Sequence, residues 1–198
     1  MLLSELARPT RHELIGRDVE VKELIYNSRK VKNGDVFCCI VGTFADGHKY
    51  AQQAVDAGAA ALVVERKLDI DVPQILVEDT RIAMAEMAAA YYGYPSREMQ
   101  MIGVTGTNGK TSTTYMLKAI AERMGKKVGL IGTIRNMIGD IIIDTERTTP
   151  ESVDLQRILR QMKDEKVDVV IMEVSSHSLD QKRVHGIEYD VGEFTNLT

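Results

Sequence analysis

Residues Gly103–Thr114 read GVTGTNGKTSTT. Gly106 and Gly109 can adopt backbone conformations that other residues avoid, so the chain can wrap closely around an oxygen-rich anion there. Amides at the start of the helix that follows, helped by its dipole, can replace the water around a triphosphate. Lys110 adds a mobile cation at the outer oxygens, and Thr111 a hydroxyl suited to Mg²⁺. The strict G-x-x-x-x-G-K-[ST] spacing is not met, because its first glycine would fall on Val104; the spacing here is T-G-T-N-G-K-T. A plain glycine turn before a Ser/Thr-capped helix would use the same letters. The apolar strand before it and the long helix after it favour a phosphate loop. Glu173, at the end of VVIMEV, adds a carboxylate where open α/β sheets place their ligands, able to share Mg²⁺ with the loop threonine.

These residues need elements to hold them. MIGVT predicts a strand into the glycine turn, KTSTTYMLKAIAERMG a helix stopped by Gly125, and KVGLIGT a second strand. NMIGDIIID predicts a hairpin turning at Gly139-Asp140. TTPESVDLQRILRQMKDEK predicts a helix with Thr149 as cap, Pro150 at its first position and Glu151 in its first turn. VDVVIMEV and DVGEFTN predict two more strands. Strands alternating with helices imply a mostly parallel, doubly wound sheet. Upstream, DVFCCIV, AALVVE and PQILVED read as buried strands, and the chain after Gly47 as a helix stopped by Gly58. Asp79 or Thr80 can cap the helix RIAMAEMAAAYYGYP, whose Met and Ala stripe reads as core. The polar break YPSREMQ marks a domain boundary, giving domains 1–97 and 98–198.

Composition narrows the class. With 25 Lys+Arg against 29 Asp+Glu, the net charge of −4 gives no pull toward nucleic acid or an anionic membrane. No apolar run approaches the roughly 20 residues of a membrane span. The N-terminal MLLSELARPTRHEL is broken by Glu5, Arg8 and Pro9, unlike a signal peptide. Cys38 and Cys39 are neighbours that a strand would point to opposite faces. They read as buried thiols in a reduced compartment, and a cytoplasmic location is expected.

Four segments carry a resemblance: GVTGTNGKTS, RTTPES, EVSSHSLDQKRV and FTNLT. They resemble the Mur ligases, ATP-dependent amide-forming enzymes of peptidoglycan synthesis. The first half, NSRKVKNGDVFCCIVGTFADGHKYAQQAVDAGAAALVVE, is similar to the UDP-binding domain of the branch that adds the third peptide residue. The resemblance implies an α/β fold: a small N-terminal α/β UDP-binding domain, then the first part of a doubly wound, mostly parallel P-loop ATPase domain. It implies that Gly106, Thr107, Asn108, Gly109, Lys110, Thr111 and Ser112 cradle ATP, with Lys110 on phosphate and Thr111 and Glu173 at Mg²⁺. Lys110 and Glu173 would be the catalytic pair. Thr148, Thr149, Ser175, Gln181 and Arg183 match contacts to UDP-N-acetylmuramoyl dipeptide. Tyr26, Ser28 and Thr43, Phe44 and Ala45 match positions around the uridine diphosphate. Each has a plainer use: Ser28 could cap a turn, Phe44 could pack a loop, and Thr148-Thr149-Pro150 could simply begin a helix.

In the family, the strand end at TNLT leads into an Asp-His loop and a carbamylated lysine that serve the Mg²⁺ sites. Neither position occurs here, nor does the C-terminal domain that takes diaminopimelate or lysine. The chain is therefore expected to be about the first two-fifths of a ligase, inactive alone, with an exposed sheet edge in its second half and some tendency to self-associate. The alternatives are a non-catalytic UDP-sugar and nucleotide-binding module, a folylpolyglutamate synthase-like ligase that shares the loop, and a P-loop kinase or GTPase. The loop spacing and the first half weigh against the last of these.

Overall fold

β-branched and apolar residues crowd the short runs that follow Gly34, Gly58 and Pro73, and each of these runs forms a strand. In a computed structural model, which describes residues 1–42, 45–143 and 148–197, the chain divides into two units, Met1–Tyr91 and Tyr92–Thr198. The division falls ahead of YPSREMQ. Residues 94–98 side with the second unit, where Arg97 donates to Glu188 at 2.9 Å and Lys163 bonds Glu98.

The first unit has strands β1 (Glu13–Ile15), β2 (Leu24–Ile25), β3 (Val36–Cys38), β4 (Ala61–Val64) and β5 (Gln74–Leu76). Their order is β1-β5-β4-β3-β2, parallel except for β1 at the edge. Helices α1 (Leu3–Ala7), α2 (Ala51–Asp56) and α3 (Thr80–Tyr91) pack around this sheet. Phe37, Cys39, Leu62 and Val64 meet Ala51 and Ala54 of α2 in one core. The stripe Ala83, Met84, Met87 and Ala88 of α3 is fully buried, as its spacing predicts. Asp79 Oδ1 accepts from the amides of Arg81 and Ile82, which caps α3. Both cysteines are free and buried; burial raises the Cys38 thiol and pushes Cys39 up to about 12, so neither is a ready thiolate.

The second unit contains β6 (Gln100–Thr105), α4 (Lys110–Arg123), β7 (Val128–Ile131), β8 (Asn136–Ile138) and β9 (Ile141–Ile143). After these come α5 (Ser152–Asp164), β10 (Val169–Glu173), α6 (Ser176–Asp180) and β11 (Val191–Phe194). The sheet order is β11-β6-β10-β7-β8-β9; the first four strands are parallel and the β8–β9 hairpin is antiparallel. Alternation along the strands feeds two cores. Met101, Ile131, Val170 and Met172 meet Leu155, Leu159 and Met162 of α5. Val128, Leu130, Val169 and Ile171 pack with Tyr115, Leu117 and Ala121 of α4 on the other. The sheet is thus covered on both faces, as in doubly wound folds. Edge strand β11 leaves Val191 and Phe194 exposed.

One expectation is corrected. Helix α5 does not start at Pro150 under a Thr149 cap; it starts at Ser152, with Glu151 as the flanking extended residue and no side-chain cap. The Thr149 hydroxyl is used elsewhere. It donates to the Glu173 carbonyl at 2.9 Å and accepts from Ser175 N at 3.3 Å, closing the end of β10. Glu151 is buried and pairs with Arg183 Nε at 3.1 Å. Removing one member of such a pair strands a buried charge. Arg183→Met should therefore cost about 3 kcal/mol. The double change Arg183→Met with Glu151→Leu should recover most of that loss, both read from urea unfolding.

Candidate functional site

Strand β6 ends at Thr105, and its two neighbours in the sheet, β10 and β11, end beside it. The chain runs from β6 through α4 to one side of the sheet, and reaches β11 on the other. The turn after β6 therefore lies at a reversal of strand order, where such sheets bind ligands. Gly106 (φ 133°) and Gly109 (φ 85°) both have positive φ, and Gly109 precedes the first turn of α4. Among the described residues no acceptor meets the amides of Gly109, Lys110, Thr111 or Ser112. The amides of Thr107 and Asn108 are engaged: they donate to Asn196 O and Oδ1, each at 3.0 Å. Lys110 Nζ donates to Gly106 O at 2.6 Å and Thr107 O at 3.2 Å, so the ammonium lies over the loop.

Glu173 is 1% exposed at the end of β10. Thr111 Oγ1 donates to its carboxylate, at 3.0 Å from Oε1 and 3.1 Å from Oε2. Thr133 contributes its amide to Oε1 and its hydroxyl to Oε2, each at 3.0 Å. The Thr133 hydroxyl also lies 3.1 Å from Thr148 Oγ1. The sequence reading missed Thr133, and Gly132 before it. A Cβ on Gly132 would sit 2.5 Å from Glu173 Oε1, so the carboxylate fits only because that side chain is absent. Among the described residues Glu173 has no Lys or Arg partner. Hydroxyls plus one carboxylate are hard oxygen donors, and such a set fits Mg²⁺ shared with phosphates.

The remaining predicted residues of this unit lie near Glu173 through a chain of bonds. Thr149 bridges Glu173 and Ser175, and Ser175 Oγ accepts from Ser178 N as the cap of α6. Arg183 donates to Thr149 O at 3.2 Å and to Gln181 Oε1, besides its pairing with Glu151. Its planar fork is thus committed within the unit.

The first unit holds a separate cleft of about 480 Å³. Its lining includes Tyr26, Ser28 and Ala45, three of the predicted uridine-side residues, together with Arg29, Tyr50 and Gln53. Thr43 and Phe44 lie outside the described residues. Ser28 does not cap its turn: Asn27 Oδ1 accepts from Arg29 N at 3.0 Å, leaving Ser28 Oγ to reach Gln53 Oε1 at 3.3 Å.

The return of the cleft loop is pinned by a network invisible in the sequence. His48 Nε2 accepts from Glu65 N at 2.9 Å, so its proton lies on Nδ1, which donates to Asp46 Oδ1 at 2.6 Å. Arg66 donates to Asp46 Oδ2 at 2.7 Å. Arg66, with the His48 donors behind it, holds the Asp46 carboxyl well below the usual range. Gly47 must lack a side chain, since a Cβ would come within 2.7 Å of the Ile40 backbone.

The model described as "Mur ligase family, catalytic domain" matches residues 20–92, and "Mur ligase middle domain" matches residues 104–198. The chain belongs to the Mur ligase family. The UDP-N-acetylmuramoyl-L-alanyl-D-glutamate--2,6-diaminopimelate ligase of Clostridium botulinum is 53% identical over 184 residues, covering 90% of this chain and 38% of that protein. Its namesake from Bacillus velezensis is 47% identical over 193 residues, covering 98% and 39%. A solved structure of a ligase of that name superposes with TM-score 0.77 at 26% identity, over 90% of this chain and 37% of its own. The MurF ligase of Thermotoga maritima, solved in complex with ADP, shares the fold at TM-score 0.57 and 24% identity, over 89% and 38%. The chain spans about two-fifths of the length of these Mur ligases.

A pH experiment checks the Asp46 network. A carboxyl lowered by folding adds stability above its unfolded value of about 3.9, and that stability is lost as pH falls through the lower folded value. Asp46→Asn should therefore lower the melting temperature at neutral pH, and the gap to wild type should close as the pH drops well below about 4.

Proposed function

We propose that this chain supplies two binding functions of a Mur-type amide ligase. The first-unit cleft, with Tyr26, Ser28 and the Thr43–Ala45 loop, takes the uridine diphosphate end of UDP-N-acetylmuramoyl-L-alanyl-D-glutamate. The second-unit loop, Gly106–Ser112, takes Mg·ATP. The carrying observation is the carboxylate of Glu173, held by Thr111 and Thr133 beside four amides at the start of a helix that meet no acceptor among the described residues. Electron-poor donors and a hard-oxygen pair at one place suit a polyphosphate with its metal.

The chemistry proposed for the whole ligase follows from carboxylates being poor acyl donors. A carboxylate oxygen attacks the γ-phosphorus; the bond to the bridging oxygen breaks, and ADP leaves with that electron pair. An amine then attacks the acyl phosphate carbon, loses a proton and expels phosphate, forming the amide. The amides of residues 109–112 orient the phosphates, and Lys110 moves from the loop carbonyls onto them, placing positive charge where negative charge shifts. Mg²⁺ held by Thr111 and Glu173 would neutralise the phosphate oxygens. Thr148, Thr149, Ser175, Gln181 and Arg183 form the proposed dipeptide side, Arg183 by fixing the Thr149 turn. The relatives' names support 2,6-diaminopimelate as the amine. A cytoplasmic location, where ATP is available and Cys38 and Cys39 stay reduced, belongs to the same proposal.

The chain spans about two-fifths of its relatives' length, and its residues account for two binding steps of the proposed reaction. Calorimetry should show UDP-N-acetylmuramoyl dipeptide and Mg·ATP binding independently. Lys110→Ala should weaken Mg·ATP at least about tenfold, the loss of one charge-assisted contact, and leave the UDP ligand within about twofold. Equal loss of both ligands would overturn the division into two sites.

A further inference from the structure

We propose that Thr195 and Asn196, just beyond β11, are positioning residues for the nucleotide loop. They fix the peptide groups of residues 107 and 108 and leave the amides of 109–112 facing outward for an anion. The inference rests on the nucleotide reading of that loop.

Asn196 grips one residue from both sides. Its Oδ1 accepts from Asn108 N at 3.0 Å, and its Nδ2 donates to Asn108 O at 3.2 Å. Its main-chain carbonyl accepts from Thr107 N at 3.0 Å. Thr195 works on the same stretch. Its Oγ1 lies 2.6 Å from Asn108 O and 3.2 Å from Thr105 O, and its amide donates to Thr105 O at 2.9 Å. The approach is close enough to exclude any side chain on Gly106, where a Cβ would sit 2.2 Å from Thr195 Oγ1.

Two consequences follow for an anion. A carbonyl oxygen facing a phosphate repels it, and Asn108 O is turned onto two donors instead. A glycine-rich loop is otherwise entropically free, and ordering it on binding costs affinity; the clamp orders it beforehand. The clamp joins residues 87 and 88 positions apart, so loop order depends on β11 lying beside β6.

The test uses Thr195→Val, which keeps the shape and removes the hydroxyl, and Thr195→Ser, which restores it. Mg·ATP affinity is read by calorimetry, and hydrogen exchange of segment 103–112 is read without nucleotide. Thr195→Val should weaken Mg·ATP about tenfold and speed exchange at 107–109, while Thr195→Ser should stay within about twofold of wild type. A melting temperature that falls while affinity and exchange stay at wild-type values would overturn the proposal. So would a Ser variant as weak as the Val variant. If Thr195→Val does not fold, Asn196→Asp decides in its place. Asp keeps the acceptor for Asn108 N, loses the donor to Asn108 O, and should give the same loss; unchanged affinity and exchange would overturn the proposal. If the wild-type chain binds no Mg·ATP, the nucleotide reading falls, and the exchange comparison alone still decides the clamp.

Discussion

A buried carboxylate that has no Lys or Arg partner among the described residues organises the second unit. Taking an ion of that size out of water costs several kcal/mol. Glu173 offsets this with two hydroxyls and one amide, and each bond to a charged acceptor contributes about 1.5–3 kcal/mol. The balance holds only where Thr111, Thr133 and the bare backbone of Gly132 converge. Those residues come from the helix after β6 and the turn after β7, so the site exists only when three parallel strands end level. The doubly wound sheet is what makes them do so.

The loop after β6 is held from both sides. On one side β10 contributes Glu173, which ties down the first turn of α4 through Thr111. On the other, β11 contributes Thr195 and Asn196, which tie down the residues before that helix. Between them lie Gly109 and the amides left for a ligand. The proposed affinity for phosphate thus rests on backbone groups that cannot be read as letters, kept in place by side chains from distant segments. The first unit solves a similar problem with a histidine. His48 joins Asp46 to the β4 exit, beside Ala45 and Gly47 of the first-unit cleft.

Some of this was legible in the sequence. The glycines, lysine and threonine of the loop are contiguous, and the strand before them and the helix after them have strong periodicity. Glu173 stood out because a charge after four apolar residues marks a strand end. The β8–β9 hairpin and its Gly139 turn followed from local turn chemistry. Thr133 and Gly132 were missed because LIGT reads equally well as any strand end. Thr195 and Asn196 were quoted within a motif without a role, since their partners lie almost 90 residues away and are main-chain atoms. Thr149 was misread as a helix cap because local pattern cannot show that a buried carbonyl at Glu173 competes for the same hydroxyl. The Asp46–His48–Arg66 network joins the turn at Gly47–Tyr50 to the chain just beyond β4, a pairing only tertiary structure reveals.

The central claim is that Thr111 and Glu173 hold the divalent cation that accompanies the nucleotide. Its most direct test is electron paramagnetic resonance of Mn²⁺ titrated into the chain with ATP, in wild type and in Glu173→Gln. The account predicts a nucleotide-dependent bound Mn²⁺ signal in wild type that is lost, or weakened at least about tenfold, in the glutamine variant. An equally strong signal in both would place the metal elsewhere and contradict the account.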